Sequence, residues 1–154
     1  MNTQLIQKPA FAVAGLSMTG IAGADFPGLW TRLMGEIPFP DLLQLGSGES
    51  FGVCYDYQPD DTFRYMAGFD VKDRARASEL GLEILDIAPA QYLVVELIGP
   101  MPESIHRGWQ WLMTEYFPSS PFTHAGTPDF EAYLEGDMSA TDYKMELWVP
   151  VREK

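Results

Sequence analysis

Two phrases, WTRLMGE at residues 30–36 and WQWLMTE at 109–115, share the pattern W-x-x-L-M-x-E. Similarity at a fixed offset is the mark of one supersecondary unit used twice. Trp30 falls on Trp109, Leu33 on Leu112, Met34 on Met113 and Glu36 on Glu115, an offset of 79 positions. Carried on without gaps, the same offset places Gly20 on Gly99, Phe51 on Phe130, Met66 on Met145 and Phe69 on Trp148. Any fold for this chain must therefore be buildable from two similar halves.

Each half has the same order of elements. An apolar run ending in Gly comes first, AFAVAGLSMTG in one copy and AQYLVVELIG in the other. Both read as buried strands. A helix follows, from about Phe26 to Ile37 in the first copy, with Asp25 as its N-cap. Phe26, Trp30, Leu33, Met34 and Ile37 form one apolar stripe, and Ile105, Trp109, Leu112, Met113 and Tyr116 repeat its spacing. Pro38 and Pro118 are expected to stop the two helices. Glu36 and Glu115 point away from the stripes and read as solvated. Two extended segments come next: 50–57 and 63–71 in the first half, 129–136 and 142–151 in the second. Residues 72–90 between the copies hold a short polar helix and an extended piece near Leu82–Ile87. The expected fold is thus α+β, a duplicated β-α-β-β with antiparallel sheets and two main helices around a central pocket. The 154 residues read as one domain of two pseudo-repeats, about 10–71 and 89–151, because each copy alone is small for a stable core.

Composition narrows the chemistry. The formal net charge of −12 argues against direct nucleic-acid binding, which needs a basic face. A single cysteine, Cys54, rules out an internal disulfide, and His106 and His124 lack metal-ligand spacing, so no metal and no cofactor is expected. No signal-peptide layout and no membrane-length apolar stretch is present, which makes the cytoplasm the expected compartment.

Strand alternation supplies the candidate site. Met145, Leu147 and Val149 read as one face of the last strand, with Glu146 and Trp148 on the other. In the preceding strand, Phe130, Ala132 and Leu134 read as core, leaving Glu131 and Tyr133 on the opposite side. Both acids are therefore expected on one face beside Trp148 and Tyr133. Glu131 aligns with Gly52 and Glu146 with Ala67, so one half carries the acid and the other an apolar wall. Carboxylates flanked by aromatic rings suit a lipophilic cation, through charge, dispersion and cation–π attraction.

The stretch YLVVELIGPMPESIHRGWQWLMTEYFPSS, with PDFEAYLEGD and DYKMELWVPV after it, resembles the effector-binding domain of GyrI-like proteins and AraC/MerR-type multidrug-responsive regulators. The resemblance implies a stand-alone sensor or sequestering protein for cationic, hydrophobic, drug-like molecules, similar to integron cassette proteins. It matches Glu146 and Glu131 to the acidic positions, in that order of preference. Tyr92, Trp109, Tyr133 and Trp148, with Tyr65 and Phe69 from the first half, are the expected walls. With the family-like part starting near residue 10, no DNA-binding module is expected upstream. Output would pass to a protein partner, either a DNA-binding regulator or gyrase. The family also implies two alternatives: a gyrase inhibitor that docks through the acidic loop at 55–61, or a hydrolase of reactive cyclopropane-type compounds.

Overall fold

The computed structural model describes residues 1–154 and divides into two compact units, Pro9–Pro89 and Met1–Lys8 with Ala90–Lys154. In the first unit the chain runs β2 (Phe11–Gly20), α1 (Phe26–Glu36), α2 (Phe39–Leu43), β3 (Ser50–Tyr55), β4 (Phe63–Asp70), α3 (Arg74–Glu79) and β5 (Glu83–Ile87). The second unit holds β1 (Asn2–Lys8) and β6 (Ala90–Ile98). After them come α4 (Glu103–Trp111), a π-helical turn (Leu112–Tyr116), α5 (Phe117–Ser119), β7 (Phe122–His124), β8 (Asp129–Tyr133) and β9 (Lys144–Glu153). The strands of the first unit are ordered β3-β4-β2-β5 and those of the second β1-β6-β9-β8, with β7 also paired to β9; the pairings within both are antiparallel.

The duplicated α+β architecture is as the repeat implied, with one addition. A strand leads each β-α-β-β copy and pairs in the sheet of the other copy. β1 precedes β2 but pairs with β6, while β5 precedes β6 but pairs with β2. Lys8 opposes Ala90 and Ile87 opposes Phe11, so the same 79-residue offset relates the two pairings residue for residue. The chain passes between units at Pro9 and Pro89. β1 escaped the sequence reading because its sequence, NTQLIQK, is mostly polar, and most of it remains exposed or half-buried.

The helices follow from local chemistry. Asp25 caps α1 by accepting the Gly28 N–H at 3.0 Å, and Pro27 occupies the first turn, where no N–H is needed. Leu29, Leu33 and Ile37 bury against Ala12, Ala14 and Leu16 of β2 and Tyr65, Ala67 and Phe69 of β4. In the second unit Leu112 and Phe117 bury against Leu93, Val95 and Leu97 of β6 and Met145, Leu147 and Val149 of β9. Truncating Leu33 or Leu112, both wholly buried, to Ala would cost about 2–5 kcal/mol. Gly15 fits a close approach of β2 to β4, since a Cβ there would lie 1.9 Å from the Ala67 carbonyl oxygen.

Two details of the helices differ from expectation. Met34 and Met113 stand 42 % and 62 % exposed, so the repeated Met marks the edge of each stripe and not its centre. Pro118 does not stop the second helix: it enters the first turn of α5, after the π turn. Side-chain hydroxyls add i−4 bonds to carbonyls along this stretch. Thr114 Oγ1 donates to Gln110 O and Ser119 Oγ to Glu115 O, both at 2.7 Å.

Candidate functional site

Register decides which candidate residues share a face. In the second hairpin Phe130 opposes Trp148, Glu131 opposes Leu147, Ala132 opposes Glu146 and Tyr133 opposes Met145. Directly opposed residues project on the same side of an antiparallel pair. Glu131 and Tyr133 therefore stand with Met145, Leu147 and Val149 on the helix-covered face. Glu146 and Trp148 stand on the other face with Phe130 and Ala132. The expectation that both acids share one face is overturned. Leu134 also leaves the expected core, being beyond the end of β8 and 48 % exposed.

The same register corrects the repeat alignment. β3 and β4 pair Cys54 with Tyr65 and Gly52 with Ala67. Tyr133 corresponds to Cys54 and Glu131 to Gly52, so Met145 corresponds to Tyr65 and Leu147 to Ala67. The second hairpin is one residue longer, and the gapless matches of Met66 with Met145, Phe69 with Trp148 and Ala67 with Glu146 fail beyond it. One residue of slip reverses every side chain on a strand.

Glu131 is the perturbed acid. Its side chain is partly buried, and Tyr133 donates its O–H to Glu131 Oε2 at 2.6 Å. Burial drives its carboxyl up to about 7, the Tyr133 hydrogen bond pulls it down, and the charge of Asp129 adds a smaller upward push. No positive charge contributes to this balance. Tyr133, Trp109, Trp111, Tyr116 and Ile105 pack on the apolar cluster of this face. Here an acid and aromatic rings share one side of a sheet, as cation recognition requires.

Glu146 and Trp148 satisfy each other on the opposite face. Trp148 Nε1 donates to Glu146 Oε1 at 3.2 Å, its ring stacks on Phe130 with centroids 5.4 Å apart, and Lys8 Nζ lies 5.5 Å from the ring centroid. The chain's own lysine already supplies a cation to that indole. Tyr92 completes this aromatic group, 5.3 Å from Phe130 and 5.6 Å from Trp148, and its phenol is pushed up to about 12, chiefly by burial. Tyr65 and Phe69 lie in the first unit's core, facing α1. Tyr65 accepts the Trp30 Nε1–H at 2.9 Å, and Phe69 packs between the Trp30 and Phe39 rings.

Sequence reasoning passed over a further pair. His124 Nε2 lies 3.0 Å from Asp129 Oδ2, while His124 Nδ1 accepts the Gly126 N–H at 2.9 Å. That second bond places the ring hydrogen of neutral His124 on Nε2, so the imidazole donates to Asp129. Asp129 is 2 % exposed. The short spacing of His124, Gly126 and Asp129 was the available signal. The acidic loop at 55–61 forms a turn in which Asp56 and Asp61 have positive φ of 53° and 67°, with Thr62 bonded to Asp60.

The model for the GyrI-like small molecule binding domain matches residues 1–152. Among curated proteins, the transcriptional regulator BrlR of Pseudomonas aeruginosa is 25 % identical over 158 residues, which cover 98 % of this chain and 56 % of that protein. The chain thus spans about half the length of this relative. Among solved structures, SAV2435 bound to tetraphenylphosphonium aligns with a TM-score of 0.83 at 24 % identity, covering 99 % of this chain and 94 % of that one. The integron cassette protein VCH_CASS2, from the mobile metagenome of Vibrio cholerae, aligns with a TM-score of 0.72 at 19 % identity, covering 97 % and 95 %. Both structural likenesses concern the fold.

Proposed function

Since the chain belongs to the GyrI-like small molecule binding domain family, we propose that the small molecule it binds is a hydrophobic cation and that Glu131 is the acid that holds it. The observation that carries this reading is the partly buried Glu131 carboxyl on the aromatic, helix-covered face, bonded to Tyr133 and without a cationic partner. A buried carboxylate lacking a counter-charge is costly, and a cation entering its surroundings removes that cost. The aromatic side chains beside it add dispersion and cation–π attraction. Glu146, the acid first preferred from sequence, is already engaged with Trp148 on the opposite face.

The test uses tetraphenylphosphonium and its neutral analogue triphenylphosphine oxide, followed by tryptophan fluorescence and calorimetry. Wild type is expected to prefer the cation. Glu131→Gln is expected to lose about tenfold or more in affinity for it, and Glu146→Gln to lose little. Equal cation affinity in wild type and Glu131→Gln would remove the basis of the proposal. The physiological role that fits is sensing or sequestration in the cytoplasm. A net charge of −12 disfavours direct nucleic-acid binding, and a DNA-binding protein partner is the route proposed for its output.

A further inference from the structure

We infer that the buried Asp129, held by His124, is a positioning residue that governs when Glu131 carries its charge. This deepens the ligand reading above and rests on it. Asp129 and Glu131 lie two residues apart in β8, so both project from the same side of the strand, at a backbone separation of about 7 Å. Asp129 is almost fully enclosed, and its anchoring is specific. The His124 imidazole donates to it at 3.0 Å from β7, and the Gly126 N–H fixes that ring's orientation from the other side at 2.9 Å.

Asp129 is the charged group whose field raises the Glu131 carboxyl, and His124, titratable itself, stands on the far side of Asp129. From β9 the neighbours of Glu131 on that face are Met145, Leu147 and Val149, and from β6 they are Leu93, Val95 and Leu97. The helical segment contributes Leu112, Phe117, Trp109 and Tyr116, and Tyr143 lies in the same cluster. The titratable groups among these are phenols, neutral at physiological pH. Asp129 is thus the charge of this unit placed to act on Glu131, and a like charge nearby favours the protonated acid. An empty site is then protonated more of the time, which lessens the cost of a second buried anion, and a cation brings out the charge when it enters. His124 matters because its bond, with the Gly126 N–H behind the ring, fixes where the Asp129 carboxylate stands relative to Glu131.

The experiment follows the Glu131 carboxyl directly, by carbon-13 NMR titration of side-chain-labelled protein without ligand, the signal being assigned by its loss in Glu131→Gln. Asp129→Asn is expected to move the Glu131 midpoint down by about one pH unit. His124→Leu is expected to move it the same way, while His124→Gln, which keeps a donor, leaves it near wild type. A midpoint unchanged in folded Asp129→Asn overturns the inference. If that variant fails to fold, the contrast between His124→Leu and His124→Gln decides: a shift confined to Leu supports the role, and equal midpoints overturn it. Tetraphenylphosphonium affinity is then measured across the same pH range. Affinity that follows the shifted midpoint supports both readings. A shifted midpoint with pH-independent affinity refutes Glu131 as the ligand's acid and leaves the control by Asp129 standing.

Discussion

Cation binding through Glu131 must depend on pH in a direction fixed by the structure. Burial holds this carboxyl near 7, against about 4.3 for an exposed glutamate. Only the ionised form offers a counter-charge. With a midpoint near 7, roughly a tenth of the molecules are ionised at pH 6 and roughly nine-tenths at pH 8. Apparent affinity for a permanent cation such as tetraphenylphosphonium should therefore rise about tenfold over that interval, close to 1.4 kcal/mol. The phosphonium has no titratable proton, so the pH dependence belongs to the protein. At pH 7 each binding event should release about half a proton, as Glu131 passes from half to nearly full ionisation. Calorimetry in two buffers of different ionisation enthalpy reads that number directly. Glu131→Gln should flatten the pH profile, abolish the proton release and bind at or below the wild-type level of pH 6. Wild-type affinity that is flat from pH 6 to 8, or a pH profile retained in Glu131→Gln, would refute the reasoning.

A carboxyl raised in the folded state keeps a proton that the unfolded chain has already lost, so its cost appears as pH rises from about 4.5 to about 7 and is complete above that. Glu131→Gln should therefore stabilise the empty protein at pH 8, by up to the order of 3 kcal/mol, and change little at pH 4.5; urea denaturation at both pH values would show it. Trp148→Phe removes the bond to Glu146 and weakens the contact with Lys8, yet lies on the opposite sheet face from Glu131. It should leave tetraphenylphosphonium affinity within about twofold by calorimetry, and a tenfold loss would contradict the face assignment. Tyr65→Phe removes the hydrogen bond from the Trp30 indole N–H and should cost about 0.5–1.5 kcal/mol in urea denaturation at unchanged m-value.

The parts of this molecule that the sequence discloses are those governed by local rules. Alternating and helical periodicities locate β2, β6, α1 and both hairpins, and the Asp25 cap sits where its chemistry demands. What the sequence hides is register, which depends on how many residues an irregular connection contains. From Cys54 to its partner Tyr65 the chain advances 11 residues, and from Tyr133 to Met145 it advances 12. The extra residue lies in a connection without regular alternation, so nothing in the residue pattern announces it. Yet it carries Glu146 and Trp148 to the face opposite Glu131 and Tyr133. The same hairpin also separates scaffold from chemistry. The duplicated positions that fill the two cores are alike, whereas Glu131 and Tyr133 stand where the first copy has Gly52 and Cys54. Glycine and cysteine at those places bring neither a carboxylate nor a phenol to anchor it. Duplication thus accounts for the sheets and helices, and the acid arises from divergence at one strand of one copy, with the Asp129–His124 pair beside it in a segment where the first copy has Ser50 and Leu45.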